Sequence, residues 1–206
     1  MLMFEVNSEN PKGRKISQVV EILKKGGVIA YPTDTSYGIG CDLNNKKAIA
    51  KIYKILSLPK NKHLSFLCPN LSNVSEYANV SNLAYKTMKR LVPGAYTFIL
   101  DSAKTVPAAL LTKRKQVGIR VPDSNICLAL IEELGNPIIT TTAKKENGEY
   151  FIDAQEIKEV LGHALDAIIS AKPLEHQGES TVIDFSDDEV TLQRKGLGDY
   201  SWIIEE

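Results

Sequence analysis

The sequence predicts an α/β protein built on one open, twisted, mixed sheet with helices packed around it. Three observations lead there. Apolar residues recur at three- and four-residue spacing in some segments and as short strand-like runs in others. Helix-like and strand-like segments alternate early in the chain, whereas strands cluster near its end. The 206 residues show no repeat, low-complexity tract or linker, so residues 1–206 read as a single domain.

Each element has a local cause. From Arg14 to Lys25, Ile16, Val19, Val20, Ile22 and Leu23 form a helical stripe that Gly26-Gly27 stops. Val28 to Ala30 is an apolar strand, and Tyr31 to Gly40 reads as a polar loop after it. Lys46 to Ser57 carries Ile49, Ile52, Tyr53 and Leu56 as a second helix, and Leu64 to Cys68 is a short strand. Helices are expected from Asn70 to Tyr77 and from Ser81 to Leu91, the latter capped by Ser81 or Asn82. Pro93-Gly94 turns into an alternating strand, Tyr96 to Leu100. Gln116 to Val121 is a strand stopped by Pro122; Ser124 or Asn125 then caps a helix that runs to Leu134 and ends at Gly135. Pro137 to Thr142 is a strand, Asp153 to Leu161 a helix and Asp166 to Ser170 a strand. Thr181 to Phe185 and Val190 to Gln193 form a hairpin around Asp187-Asp188.

Composition narrows the function. Cys41, Cys68 and Cys127 are odd in number, scattered and distant in sequence from the histidines, which argues for a reduced cytoplasmic protein without structural zinc. Met1 to Glu5 is too short and too soon acidic for a signal peptide, and no apolar run nears the ~18 residues of a membrane span. The net charge of zero hides a division. Residues 43–122 hold fourteen basic and two acidic side chains, a balance of +12, while residues 123–206 hold six basic and eighteen acidic, a balance of −12. Either the middle of the chain meets an anion, or the two blocks pack together and neutralise each other.

The segment Tyr-Pro-Thr-Asp-Thr-Ser-Tyr-Gly-Ile-Gly at 31–40 is the most informative. Thr33, Asp34, Thr35, Ser36 and Tyr37 give five hydrogen-bonding side chains directly after a buried strand, and Gly38 and Gly40 would let a backbone approach whatever lies above. That reads as a site for a small polar ligand. Further polar clusters sit at strand ends, where open α/β sheets bind ligands. Arg120 interrupts the apolar run Val117 to Pro122, and either forks onto a carboxylate or phosphate or is an edge arginine paired with an internal acid. Thr140-Thr141-Thr142-Ala143-Lys144 suits a phosphate or ribose, or simply a β-strand. Arg194-Lys195-Gly196-Leu197-Gly198 resembles an anion-binding turn. No Gly-x-Ser-x-Gly elbow, His-Glu-x-x-His, Walker lysine or Gly-x-Gly-x-x-Gly is present. Without a nucleophile and base pair, what remains is catalysis by positioning and charge stabilisation, as in phosphoryl and nucleotidyl transfer.

Four of these motifs together resemble the YrdC/YciO family: residues 31–42, Pro-Gly-Ala-Tyr-Thr-Phe-Ile-Leu at 93–100, Val-Gly-Ile-Arg-Val-Pro at 117–122 and Ser-Thr-Val-Ile-Asp at 180–184. Their order and spacing match from about residue 12 to 200. The resemblance implies a YrdC-like twisted open sheet around a large basic concave cleft. It implies synthesis of L-threonylcarbamoyl-AMP from threonine, bicarbonate and ATP, with magnesium held through the substrate phosphates and not by protein ligands. The product would serve tRNA modification, and the family is also linked to double-stranded RNA. On this resemblance Thr35, Arg120 and Ser180 hold the amino acid, and Lys62, Thr140, Thr142, Lys144 and Arg194 lie along the nucleotide and its phosphates.

Two departures place the chain nearer the YciO branch. The Lys-x-Arg expected before Pro59 is Leu56 and Leu58, and the Ser-x-Asn after the inner strand is Thr142-Ala143-Lys144. Lys54, Lys60, Lys62 and Lys144 would restore part of the positive field. The expectation is therefore a threonylcarbamoyl-AMP synthase-like nucleotidyltransferase with weak or altered activity. The alternatives are a protein that binds double-stranded RNA or a nucleotide without turnover, and a family member whose fold outlived its chemistry.

Overall fold

Ile16, Val19, Val20 and Leu23 all lie buried on one stripe of α1 (Arg14–Lys24), which ends beside Gly26 in the left-handed conformation (φ 86°). The computed structural model describes residues 1–11, 13–59, 62–106, 110, 115–174, 177–186 and 189–204. Lys60 and the expected turn at Asp187-Asp188 lie outside the described residues. Before α1 runs β1 (Leu2–Glu5), and after it come β2 (Ile29–Pro32), β3 (Tyr37–Asp42), α2 (Lys46–Ile55), β4 (Ser65–Leu67), α3 (Leu71–Val74) and β5 (Ala78–Asn79). The chain continues through α4 (Asn82–Leu91), β6 (Tyr96–Ser102), β7 (Gln116–Arg120), α5 (Asn125–Leu134) and β8 (Ile138–Thr142). It ends with α6 (Ala154–Leu161), β9 (Ala167–Ser170), β10 (Thr181–Asp184), β11 (Thr191–Arg194) and α7 (Ser201–Ile204).

The strands form one mixed sheet in the order β1-β9-β2-β3-β8-β4-β7-β6-β10-β11, with β5 beside β6. The sheet combines parallel pairs (β1 with β9, β2 with β9, β4 with β7, β6 with β10) with antiparallel ones, as the mixed succession of elements predicts. Period-two alternation splits the core. Ile29, Tyr31, Leu67, Ile138, Ala167 and Ile169 join α1 and α5 on one face; Ala30, Phe66, Ile139 and Ile168 join the larger cluster with α2, α4 and α6 on the other. The expected caps form: Ser81 Oγ accepts from Ala84 N at 3.2 Å, and Asp153 Oδ1 from Glu156 N at 2.8 Å.

Three expectations change. The segment read as a loop through Gly40 is a hairpin, because Pro32 closes β2 opposite Tyr37 and β3 starts there. A proline that lacks a donor is tolerated at such a strand end. Gly38 and Gly40 accommodate the protein itself: a Cβ on Gly40 would lie 2.6 Å from Ile138 Cγ2 and 3.1 Å from Tyr31 Cε1, and one on Gly38 3.2 Å from Tyr31 Cζ. α2 ends two residues early, at Ile55, with Ser57 in the left-handed region (φ 48°).

Candidate functional site

A cavity of about 880 Å³ opens over the middle of the sheet, within the size range of small-molecule sites. The turn after β2 supplies Thr33, Thr35 and Ser36, and the strands β4, β6, β7, β8 and β10 supply the walls. Seven of the eight side chains picked from sequence line it: Thr35, Lys62, Arg120, Thr140, Thr142, Ser180 and Arg194. Lys144 does not.

Arg120 is the last residue of β7, which pairs on one side with β4 and on the other with β6. It is therefore not an edge arginine. The residue is 8% exposed; Nη2 donates to Asp34 Oδ1 at 2.6 Å and to Thr35 Oγ1 at 2.9 Å, while Nε is buried without a hydrogen-bond partner. An orphaned buried donor costs about 1–3 kcal/mol, which a purely structural ion pair would avoid. The turn beneath is braced by Thr33, whose Oγ1 donates to Ser36 O at 2.7 Å and accepts from Thr35 N at 3.1 Å.

Ser180 immediately precedes β10, whose parallel register with β6 pairs Val182 with Thr97, and the Thr97 hydroxyl reaches back to Ser180, Oγ1 to Oγ at 2.7 Å. Arg194 wraps Ser180: Nε and Nη2 donate to its carbonyl oxygen at 3.2 and 2.8 Å, and Nη2 reaches Oγ at 3.3 Å. Nη1 donates to Glu179 Oε1 at 2.8 Å, and the other carboxylate oxygen of Glu179 binds Lys144 Nζ at 3.0 Å. Gly178 N donates to Thr35 O at 3.2 Å and to Ser36 Oγ at 3.2 Å, so the Thr35 turn and the Ser180 segment form one unit.

The structure thus groups the residues differently from the sequence. Arg194, expected along the phosphates, is fastened to Ser180. Thr140 is a strand residue first: its Oγ1 accepts from Tyr31 Oη at 2.7 Å and donates to Ile39 O at 3.2 Å. Burial pushes the Tyr31 phenol far above its usual range, so it stays a donor. Lys144 sits in a bridge with Tyr150, its ammonium 5.0 Å from that ring's centre. The Arg194–Gly198 segment is a packing turn: a Cβ on Gly196 would meet the Ser180 carbonyl carbon at 2.4 Å, and one on Gly198 the Tyr96 ring at 2.5 Å. Sequence reasoning missed Thr97, Ser65, Gly118, Gln116 and Glu179 as lining residues and Asp34 as the partner of Arg120. Only Asp34 carried a signal, as the lone acid among the hydroxyls at 33–37.

Leu56 and Leu58 do not line the cavity; both are half-buried against the core. They flank a Schellman end of α2, in which Leu58 N donates to Tyr53 O at 2.9 Å and Ser57 N to Lys54 O at 3.3 Å. Covalent chemistry by cysteine is disfavoured, since burial pushes the Cys41, Cys68 and Cys127 thiols up to about 12. Burial, and then the Asp153 charge, pushes the Tyr37 phenol on the cavity wall up to about 12. Among the described residues no three His, Cys, Asp or Glu side chains gather to hold a metal, and no helix is long and apolar enough to cross a membrane.

Comparison with known proteins agrees with this fold. Residues 21–196 match the Sua5/YciO/YrdC family model, described as telomere recombination. The chain is 43% identical over 198 residues to YciO of Escherichia coli K12, covering 95% of this chain and 96% of that one. The crystal structure of E. coli YciO superposes with a TM-score of 0.92 over 98% of both chains at 41% identity. A putative threonylcarbamoyl-AMP synthase of Methanocaldococcus jannaschii is 32% identical over 200 residues, 95% of this chain and 91% of that one. Sua5 of P. abyssi complexed with L-threonine superposes with a TM-score of 0.89 at 25% identity, over 95% of this chain. The chain spans only 58% of that longer protein.

Proposed function

The chain belongs to the Sua5/YciO/YrdC family, and from that premise we propose that it is a cytoplasmic nucleotidyltransferase of the threonylcarbamoyl-AMP synthase type. Threonine, bicarbonate and ATP would give threonylcarbamoyl-AMP, pyrophosphate and water, the product serving tRNA modification. The observation that carries this reading is the convergence of Thr35, Arg120 and Ser180 in one cavity, braced by Asp34 and Arg194. A relative of matching fold, P. abyssi Sua5, has been crystallised with L-threonine.

In this reading Thr35, Arg120 and Ser180 orient the amino acid, Arg120 taking its carboxylate. The carbamate oxygen attacks the α-phosphorus in line and pyrophosphate leaves. Thr140 and Thr142 border the nucleotide, and Lys62 faces the departing phosphates. Arg194 holds Ser180 in place. Magnesium would travel on the triphosphate, since among the described residues the one carboxylate lining the cavity, Glu179, is already held by two cations. Preorganised donors are the main catalytic means here. The test is pyrophosphate release from ATP, magnesium and bicarbonate, with and without threonine. Threonine-dependent release that Arg120→Ala abolishes supports the reading; no release under any condition overturns it.

A second reading, binding of double-stranded RNA, is favoured by the charge distribution. Among the described residues one ion pair, Lys51 with Asp166, joins the basic middle of the chain to its acidic end. Lys46, Lys47, Lys54, Lys86, Lys89 and Arg90 remain exposed, available to a phosphate backbone. Such binding would weaken steeply with salt and persist in Arg120→Ala. Affinity unchanged between 50 and about 200 mM salt would refute it.

A further inference from the structure

Among the described residues, Lys62, Arg120 and Arg194 are the lysine and arginine side chains that line the cavity. Two of them already have an internal carboxylate, Arg120 with Asp34 at 2.6 Å and Arg194 with Glu179 at 2.8 Å. Lys144, close by but off the wall, is held by the same Glu179 at 3.0 Å. Glu179 is thus an anion built into the wall and held by two cations. Its side chain is 21% exposed and that of Arg194 34%, and both line the opening; Lys144, 35% exposed, holds Glu179 from outside the wall.

We propose that Glu179 sets the charge of the ligand this cavity accepts, favouring a nucleotide with one phosphate group, at the level of an adenylate, over a triphosphate. The inference rests on the nucleotide reading given above. An adenylate brings one phosphate to the site. A triphosphate brings two more phosphates, meets one ammonium (Lys62) free of ion pairs among the described residues, and faces the Glu179 carboxylate. Arg194 does not swing to follow those phosphates, because three of its hydrogen bonds go to Ser180. Like charges at a few ångströms in a half-enclosed site repel strongly enough to decide between such ligands. Glu179 is therefore a specificity residue, and the site holds an adenylate more tightly than it holds the ATP from which the adenylate is formed.

The test is equilibrium binding of AMP and of the β,γ-imido analogue of ATP, with magnesium, to the full chain and two variants. The natural protein should bind AMP at least as tightly as the analogue. Glu179→Gln should tighten the analogue tenfold or more while changing AMP less than threefold. Lys144→Met leaves the carboxylate with one cation fewer and should weaken the analogue threefold or more, the opposite sign. A tenfold preference of the natural protein for the analogue overturns the proposal, as does a Glu179→Gln effect equal on both ligands. Should neither nucleotide bind to any of the three proteins, all folded by their melting curves, the nucleotide reading itself falls and the proposal with it.

Discussion

Arg120 and Asp34 meet across 86 positions of sequence, Nη2 to Oδ1 at 2.6 Å, with side chains only 10% and 11% exposed. One closes a central strand and the other sits in a turn after a different strand, so the pair pins the cavity wall to its floor. Removing either partner alone leaves an uncompensated buried charge. Arg120→Ala and Asp34→Ala should each destabilise by about 3–5 kcal/mol in urea titrations, and the double variant by clearly less than their sum. Additive losses would mean that the pair is not coupled.

Lys62 is the candidate for a free phosphate contact. Lys62→Met should raise the KM for ATP roughly tenfold, the worth of one charge-assisted hydrogen bond, while leaving the KM for threonine unchanged. Equal effects on both substrates would place Lys62 elsewhere in the reaction.

Ser57 occupies the left-handed position that ends α2. A non-glycine residue there carries about 1 kcal/mol of backbone strain. Ser57→Gly should therefore stabilise the fold by about 0.5–1 kcal/mol, read as a shift in denaturation midpoint at constant slope. A loss of stability would show that the serine side chain contributes more than the strain costs.

The hairpin glycines make room for Tyr31. Gly40→Ala places a methyl 2.6 Å from Ile138 Cγ2 and 3.0 Å from Ile139 O, and should destabilise by about 1–3 kcal/mol. Tyr31→Phe removes a buried bond to Thr140 and should lose about 1 kcal/mol. Thermal melts of both variants would check this order.

Asp166 links α2 to the start of β2, accepting from Lys51 Nζ and Val28 N, each at 2.7 Å. Partial burial pushes its carboxyl up, but those two bonds outweigh it and hold the group below the usual carboxylate range. Its folded value is thus the lower one, so its contribution is full above about pH 4 and is lost as pH falls through the folded value. Asp166→Asn should be less stable than the natural protein at pH 7, with the gap closing as pH falls through the lowered folded value. A gap independent of pH would assign the effect to packing.

Local signals were easy to read where local physics decides. The stripe Ile16, Val19, Val20, Leu23, the Ser124 cap (Oγ from Cys127 N at 3.4 Å) and the left-handed Gly135 place α1 and α5 from sequence. β1 escaped notice because Leu2 to Glu5 shows no alternation and is mostly exposed, held by pairing with β9, 165 residues away. β5 has two residues and no pattern to show. Thr33, Thr35, Ser36, Arg120 and Ser180, singled out by residue type and strand-end position, line one cavity. What each polar group binds was not legible: Gly38 and Gly40 serve Tyr31, and Arg194 serves Ser180.

The sequence by itself determined the family, most of the succession of helices and strands, and seven of the polar residues that end up around one opening. Periodicity, caps and turn residues act over a few positions and are written in neighbouring letters. Tertiary structure alone decided the charge state of that opening, by setting Asp34 against Arg120 and Glu179 between Arg194 and Lys144. The Arg120 pair depends on which strands lie side by side, and all three pairings on where turns and strand ends meet. Such placement emerges only when distant segments bury their apolar faces together.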